Sequence, residues 1–254
     1  MAELVESVVK AARVLRSFEP HTGAMTVRQI SARTGIPRST CHALCTTLVE
    51  VRLLEALPEG GYRLGPATAW LGAQVFERTG LVEAATPAMH TLARSAGAHV
   101  DLSQYVHKGW MVFLHHIGDP RIRASNRVGS RIPAHECAEG RAALSQFEAL
   151  DIRDIVIRAS GDLGAPGVQD PAAYDQLLRA LSEARSRGYV AMDRSGTMLR
   201  TVAAPLRDPD GATVGALSVS MSRQAVTPSR VAALGETLRA ACHETSQRLA
   251  ARSR

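Results

Sequence analysis

Val5, Val8, Val9, Ala12 and Leu15 recur at steps of three and four residues. That period predicts a first helix of about fourteen residues. "EPHTGAM" breaks it. Thr26 and Gln29 then form a T-x-x-Q capping box, which opens a short second helix through Ala32. Gly35 suits a left-handed cap and Pro37 the first position of the next helix. The third helix is predicted from Pro37 to about Val51. In it Leu44, Leu48 and Val51 fall at core spacing. "RLLEALPEGGYRLG" reads as two short strands around a Gly-rich turn. The order helix, helix, turn, helix, hairpin is that of a winged helix-turn-helix.

From Pro66 the pattern is helical again, through "ATAWLGAQVFERTG" and "VEAATPAMHTLARSAG". Beyond it, "HVDLSQYV", "WMVFLHHI" and "RASNRVGSRI" read as strands, and "AEGRAALSQF" and "AYDQLLRALSEARSRG" as helices. "TVAAPLRDPDGATVGALSVSMS" is a hairpin about a DPDG turn, and "RVAALGETLRAACHETSQRLAAR" a closing helix. "GDLGAPGVQDP" reads as an exposed Gly/Pro-rich loop. There is no regular βαβ rhythm, so the expected class is α+β with an antiparallel sheet. The expected organisation is a DNA-binding domain over residues 1–65, a linker helix over 66–80 and a sheet domain over 81–254.

Charge sharpens the view of the third helix. The chain carries a formal net charge of +6, and no acidic residue lies between Glu19 and Glu50. Arg28, Arg33 and Arg38 fall in that window. A basic, acid-free face is what a phosphate backbone selects. With the apolar stripe inward, Arg38, Ser39, His42 and Thr46 point outward near the helix start, where a major-groove reader contacts bases. The DNA-contact candidates are Arg28, Arg38, Ser39, Thr40, His42, Thr46, Tyr62 and Arg63. Tyr62 fits equally well as a backbone contact or as packing for the hairpin.

The four cysteines show no disulfide framework, which predicts reduced thiols and a cytoplasmic protein. Cys41, His42 and Cys45 lie within one helical turn, too close to surround a tetrahedral ion, so Cys41 and Cys45 are expected to fill the core. No apolar run approaches the roughly 20 residues of a membrane helix. No metal or cofactor is expected. The chain lacks G-x-S-x-G, G-x-G-x-x-G, P-loop and H-E-x-x-H motifs. A hydrolase built on Ser218, His135 and Asp193 is the alternative to a DNA-binding regulator. A winged helix used for protein contacts is a third reading.

Three segments in order resemble the IclR-type transcriptional regulators: residues 7–66, "RVGSRIPAHECAEGRAALS", and "RSRGYVAMD" with "RTVAAPLRDPDGATVGALSVS". The resemblance implies a regulator, expected to repress a catabolic operon, with a GAF-like effector domain. Its partners would be a double-stranded DNA operator, a small organic effector and further copies of itself, as a dimer or a dimer of dimers. It places the effector site at Glu136, Cys137, Ala138, Gly140, Asp193, Thr201, Ser218 and Ser220. The effector would be an aromatic or a carboxylate/acyl derivative. Thr201 stands where many members have cysteine, and Glu136 where a small or thiol residue is usual. An acid there would repel a carboxylate and suit a hydrogen-bond donor such as an amide, hydrazide or phenol. Equally, Glu136 could be a surface carboxylate paired with Arg141.

Overall fold

The computed structural model describes residues 4–18, 23–106, 109–118, 127–161 and 170–252. It divides into two compact units, Met1–Thr79 and Gly80–Arg254.

The first unit holds α1 (Glu6–Arg16), α2 (Val27–Thr34), α3 (Arg38–Glu50), β1 (Leu54–Ala56), β2 (Tyr62–Leu64) and α4 (Pro66–Thr79). The capping box forms in full: the Thr26 side chain accepts from the Gln29 amide, and Gln29 Oε1 accepts from the Thr26 amide at 2.8 Å. Gly35 is left-handed at φ 68°. Pro37 caps α3 from outside rather than forming its first turn. β1 and β2 make the antiparallel wing, and Tyr62 also bridges to Met25. Val14, Met25, Ile30, Ile36, Cys41, Cys45, Leu48 and Leu54 form the core.

Two further details differ from expectation. α1 has 11 residues. The inward stripe of α3 is Cys41, Cys45 and Leu48, while Leu44 is only partly buried and Val51 is 53% exposed. Both stripes obey helical spacing; the cysteines win because both are fully buried. Burial and the neighbouring Cys41 push the Cys45 thiol up to about 11.

The second unit starts with α5 (Leu81–Ala96) and carries one six-stranded sheet. Its strands are β3 (His99–Val106), β4 (Trp110–Ile117), β5 (Arg131–Pro133), β6 (Val190–Asp193), β7 (Leu199–Arg207) and β8 (Thr213–Ser222). The order is β5-β4-β3-β8-β7-β6, with every neighbouring pair antiparallel. One face is apolar: Val100, Leu102, Val202, Ala204, Leu217 and Val219 pack under α5 and α9 (Pro228–Arg252). The other face is covered by α6 (Ala138–Leu144), α7 (Ala149–Gly161) and α8 (Pro171–Arg187), through Ala203, Ala216 and Met111. The mixed α+β class is therefore present, with the antiparallel sheet sandwiched between helices.

Of "RASNRVGSRI" only Arg131 and Ile132 join a strand, and residues 123–126 lie outside the described residues. So does most of the Gly/Pro-rich loop, residues 162–169. α7 and β6 do not stand out in the hydrophobic pattern. Among the described residues, no helix is long and apolar enough to cross a membrane.

Candidate effector cavity and DNA-reading face

Strand geometry places alternate residues on one face. On β3 the face under α6 carries His99, Asp101 and Ser103, all buried. Register brings Asp101 opposite Ser218 and His99 opposite Ser220 on β8, and Ser220 opposite Thr201 on β7. The result is a polar layer inside the domain. His99 Nε2 lies 3.1 Å from Asp101 Oδ1. The hydroxyls of Thr201 and Ser220 share a hydrogen bond of 2.9 Å. His99 Nδ1 and Asp101 Oδ2 are buried with no hydrogen-bond partner.

The sequence "IPAHECAEGRAAL" folds over this layer. Residues Ala134–Glu136 make one 3-10 turn before α6. Gly140 lets the helix approach that turn: a Cβ there would sit 2.2 Å from the Ala134 carbonyl oxygen. The Cys137 thiol caps the helix, accepting from the Gly140 amide at 3.4 Å. This close approach presses Glu139 onto the sheet, only 2% exposed. The Ser218 hydroxyl donates to its Oε1 at 2.7 Å.

Glu139 is thus a buried carboxyl group close to a second one. Burial first, then the charge of Asp101, raises its pKa above the ordinary range; Ser218, its own backbone amide and Arg194 oppose the shift. Burial likewise pushes the Cys137 thiol well up, reinforced by Glu139. Because the folded-state pKa of Glu139 is raised, its contribution to stability is fully present below the unfolded value of about 4.3 and is lost as pH rises through the folded value. Glu139→Gln removes that loss. The melting temperature of this variant is expected to gain on the parent progressively as pH rises from about 4.3. Parallel melting curves across pH 4–8 would show that Glu139 carries no shifted titration.

A cavity of about 520 Å³ opens beside this layer, lined by Ile132, His135–Glu139, Arg141, Met192–Ser195 and Thr201. It gathers five of the eight expected effector residues: Glu136, Cys137, Ala138, Asp193 and Thr201. The other three lie behind it. Gly140 serves the helix–turn approach, and Ser218 and Ser220 are fully buried, engaged by Glu139 and Thr201. Asp193 is held by Arg200 at 3.0 Å and Arg223 at 3.5 Å. Glu136 is half-exposed and sits 3.6 Å from His135 Nε2. Arg141 Nε instead donates to the His135 carbonyl at 2.8 Å. Burial holds His135 below its usual pKa, with Glu136 opposing. The hydrolytic triad is not assembled, since Ser218 bonds Glu139, His135 faces Glu136, and Asp193 pairs with arginines.

Sequence reasoning does not single out Glu139, Asp101 or His99. One signal was present: polar residues of matching parity on "HVDLS" and "LSVS". Three neighbouring strands with polar residues on the same face under a helix mark an interior polar layer, not a solvated one.

In the first unit, Arg38, Ser39, His42 and Thr46 are exposed on one side of α3, and Thr40 is half-buried. Thr46 donates to the His42 carbonyl at 3.0 Å. Arg28 is exposed on α2. Tyr62 packs partly against the core, and Arg63 is bonded to Glu55 at 2.6 Å across the wing.

Two family models match the chain in turn. Residues 7–58 match the IclR helix-turn-helix domain, and residues 73–247 the bacterial transcriptional regulator IclR C-terminal domain. The chain belongs to the IclR family. It is accordingly a DNA-binding transcriptional regulator, and family members of this kind are regulators, not enzymes. Among IclR-family relatives, the Pca regulon regulatory protein of Pseudomonas putida is 27% identical over 238 residues, covering 90% of this chain and 78% of that protein. The transcriptional repressor IclR of Escherichia coli is 23% identical over 248 residues, covering 95% and 89%. The fold is shared with an IclR homologue from Microbacterium hydrocarbonoxydans, solved in complex with 4-hydroxybenzoate. That match has a TM-score of 0.76 and 24% identity over 96% of this chain and 99% of that one.

Proposed function

We propose that this IclR-family protein is an operator-specific repressor of a catabolic operon, working in the cytoplasm, whose DNA affinity is set by a small organic effector in the α6 cavity. The observation that carries the DNA half is the exposed, acid-free first half of α3. Its N-cap residue, Pro37, makes no side-chain hydrogen bond to the helix start, which leaves the first-turn amides facing outward as a phosphate site. Arg38, Ser39, Thr40, His42 and Thr46 then read bases or phosphates, with Arg28 and the wing residues Tyr62 and Arg63 against the backbone. The engagement of Arg63 by Glu55 makes it the weakest of these contacts.

The effector half rests on the cavity and the polar layer behind it. An aromatic or acyl molecule fits its mixed walls of Ile132, Met192 and polar groups. The relative bound to 4-hydroxybenzoate supports a small organic ligand in this fold. A dimer, or a dimer of dimers, supplies the two-fold symmetry that a palindromic operator requires. α4 offers the surface for it: Trp70, Leu71 and Val75 are exposed, and α4 buries no residue.

The test is anisotropy on the intergenic DNA beside the gene against a scrambled duplex, over a salt series. Preference for the native duplex by about a thousandfold or more is expected. Arg38→Ala is expected to weaken that specific binding by about 1–3 kcal/mol while leaving scrambled-DNA binding close to the parent's. Equal binding to both duplexes by the parent would overturn operator reading. Unchanged specific affinity in the variant would remove Arg38 from the reading face.

A further inference from the structure

We infer that Glu139 sets the ligand class of the α6 cavity, admitting at its inner end an uncharged group that both donates and accepts hydrogen bonds, such as a carboxamide, and rejecting a carboxylate. The inference narrows the effector reading above and rests on it.

The start of a helix ordinarily welcomes an anion through its first amides. Here the protein fills that place itself. The Gly140 amide is engaged by the Cys137 thiol, the Arg141 amide by the Cys137 carbonyl, and the backbone amide of Glu139 by its own carboxyl group. An incoming carboxylate would therefore meet a carboxyl group instead of free donors. Asp101 stands behind it on β3, with His99 on its Oδ1 and no partner on its Oδ2. Of the arginines that line the cavity, Arg141 is tied to the His135 carbonyl, and the lining Asp193 is paired outside it with Arg200 and Arg223. Arg194 lines the cavity and opposes the shift at Glu139 without cancelling it.

The groups facing Glu139 are Asp101 from β3, Ser218 from β8, Cys137 from its own helix start and Arg194 from the turn after β6. Among them Ser218 donates to one carboxyl oxygen, and the Cys137 thiol is also hydrogen-bonded to the carboxyl group. Burial beside Asp101 favours the protonated form of Glu139, the form that carries a hydroxyl donor beside an acceptor. A carboxamide is complementary to that pair, whereas a carboxylate has no hydrogen to give and brings a further negative charge into a buried layer that already holds two carboxyl groups. Glu136 cannot impose this selection, because it is half-exposed and already beside His135.

The experiment uses the full-length protein at pH 7 with matched probes: benzamide against benzoate, 4-hydroxybenzamide against 4-hydroxybenzoate, and butyramide against butyrate. Binding is read by calorimetric titration, and operator release by anisotropy in the same samples. In each pair that binds, the amide is expected to win by about tenfold or more. Glu139→Gln has the same shape but no ionisable acid. It is expected to bring the two members within about threefold of each other, while melting at or above the parent's temperature. A carboxylate that binds the parent as tightly as its amide, or a ratio unchanged in Glu139→Gln, overturns the role of Glu139 and leaves an effector-gated repressor standing. Binding by no member of any pair overturns both this inference and the α6 cavity as the effector site, whereas operator preference stands or falls on its own.

Discussion

Gly140→Ala is expected to destabilise the second unit by about 3 kcal/mol or more, a drop in its melting temperature of roughly 6–12 °C. The cause is geometric. A Cβ at Gly140 would meet the Ala134 carbonyl oxygen at 2.2 Å, its Cα at 2.3 Å and its carbonyl carbon at 2.5 Å. All three are backbone atoms, so no rotamer relieves the overlap, and the start of α6 must move off the preceding turn. That motion lifts Glu139 from Ser218 and opens the Cys137 cap. In an ordinary helix the same change is favourable by about 0.5–1 kcal/mol, so a net loss reports the collision directly. Gly196→Ala is the control. Its φ of +70° carries a left-handed penalty of about 1–2 kcal/mol, but nothing lies within 4 Å of the added methyl. A Gly140→Ala protein no less stable than Gly196→Ala would show that α6 has room to spare. The same variant is expected to lose effector response while its first unit still binds operator.

The winged half of the molecule is legible in the sequence because its signals are local. Thr26 with Gln29, and the left-handed Gly35, each act within a few residues and form as expected, while Pro37 stands one position before its helix. The choice of inward stripe on α3 fails for an equally local reason. Leu44–Leu48–Val51 and Cys41–Cys45–Leu48 have identical spacing, and only packing against Ile36 and Thr34 decides between them.

The effector half is legible as strands and helices but not as a site. Glu139 reads in sequence as an acid in the first turn of a helix, where solvated carboxylates commonly sit. Its burial depends on Gly140 meeting Ala134 and on β8 placing Ser218 beneath α6, seventy-nine residues apart in the chain. Five of the effector positions taken from the family resemblance line the same cavity, yet the acid they single out in this segment is Glu136, three residues early. Edge strand β6, with only four residues, carries too short a pattern to declare itself.

Trp70→Glu combined with Val75→Glu is expected to convert the protein to a monomer and to weaken operator binding by about 100-fold to 10,000-fold. At about 100° per residue, Trp70, Leu71 and Val75 fall within an arc of roughly 140° on α4, with Gln74 and Arg78 the polar residues among them. Trp70 is 65% exposed, Leu71 47% and Val75 45%. An exposed apolar stripe of this kind costs solubility unless something covers it. A second copy is the occupant that the proposed operator reading calls for, because an isologous contact gives two reading helices a two-fold relation. The size of the effect follows from linkage. Two half-sites held on one dimer bind as an intramolecular second step, so losing the dimer loses that effective concentration although no base contact changes. Two glutamates on the stripe place like charges opposite one another across such an axis and leave the winged-helix core untouched. Mass by light scattering and operator affinity by anisotropy are read together. A monomer whose α3 still protects a single half-site is the expected result. A dimer of unchanged mass and affinity would remove α4 from the interface and leave its exposed tryptophan to another partner.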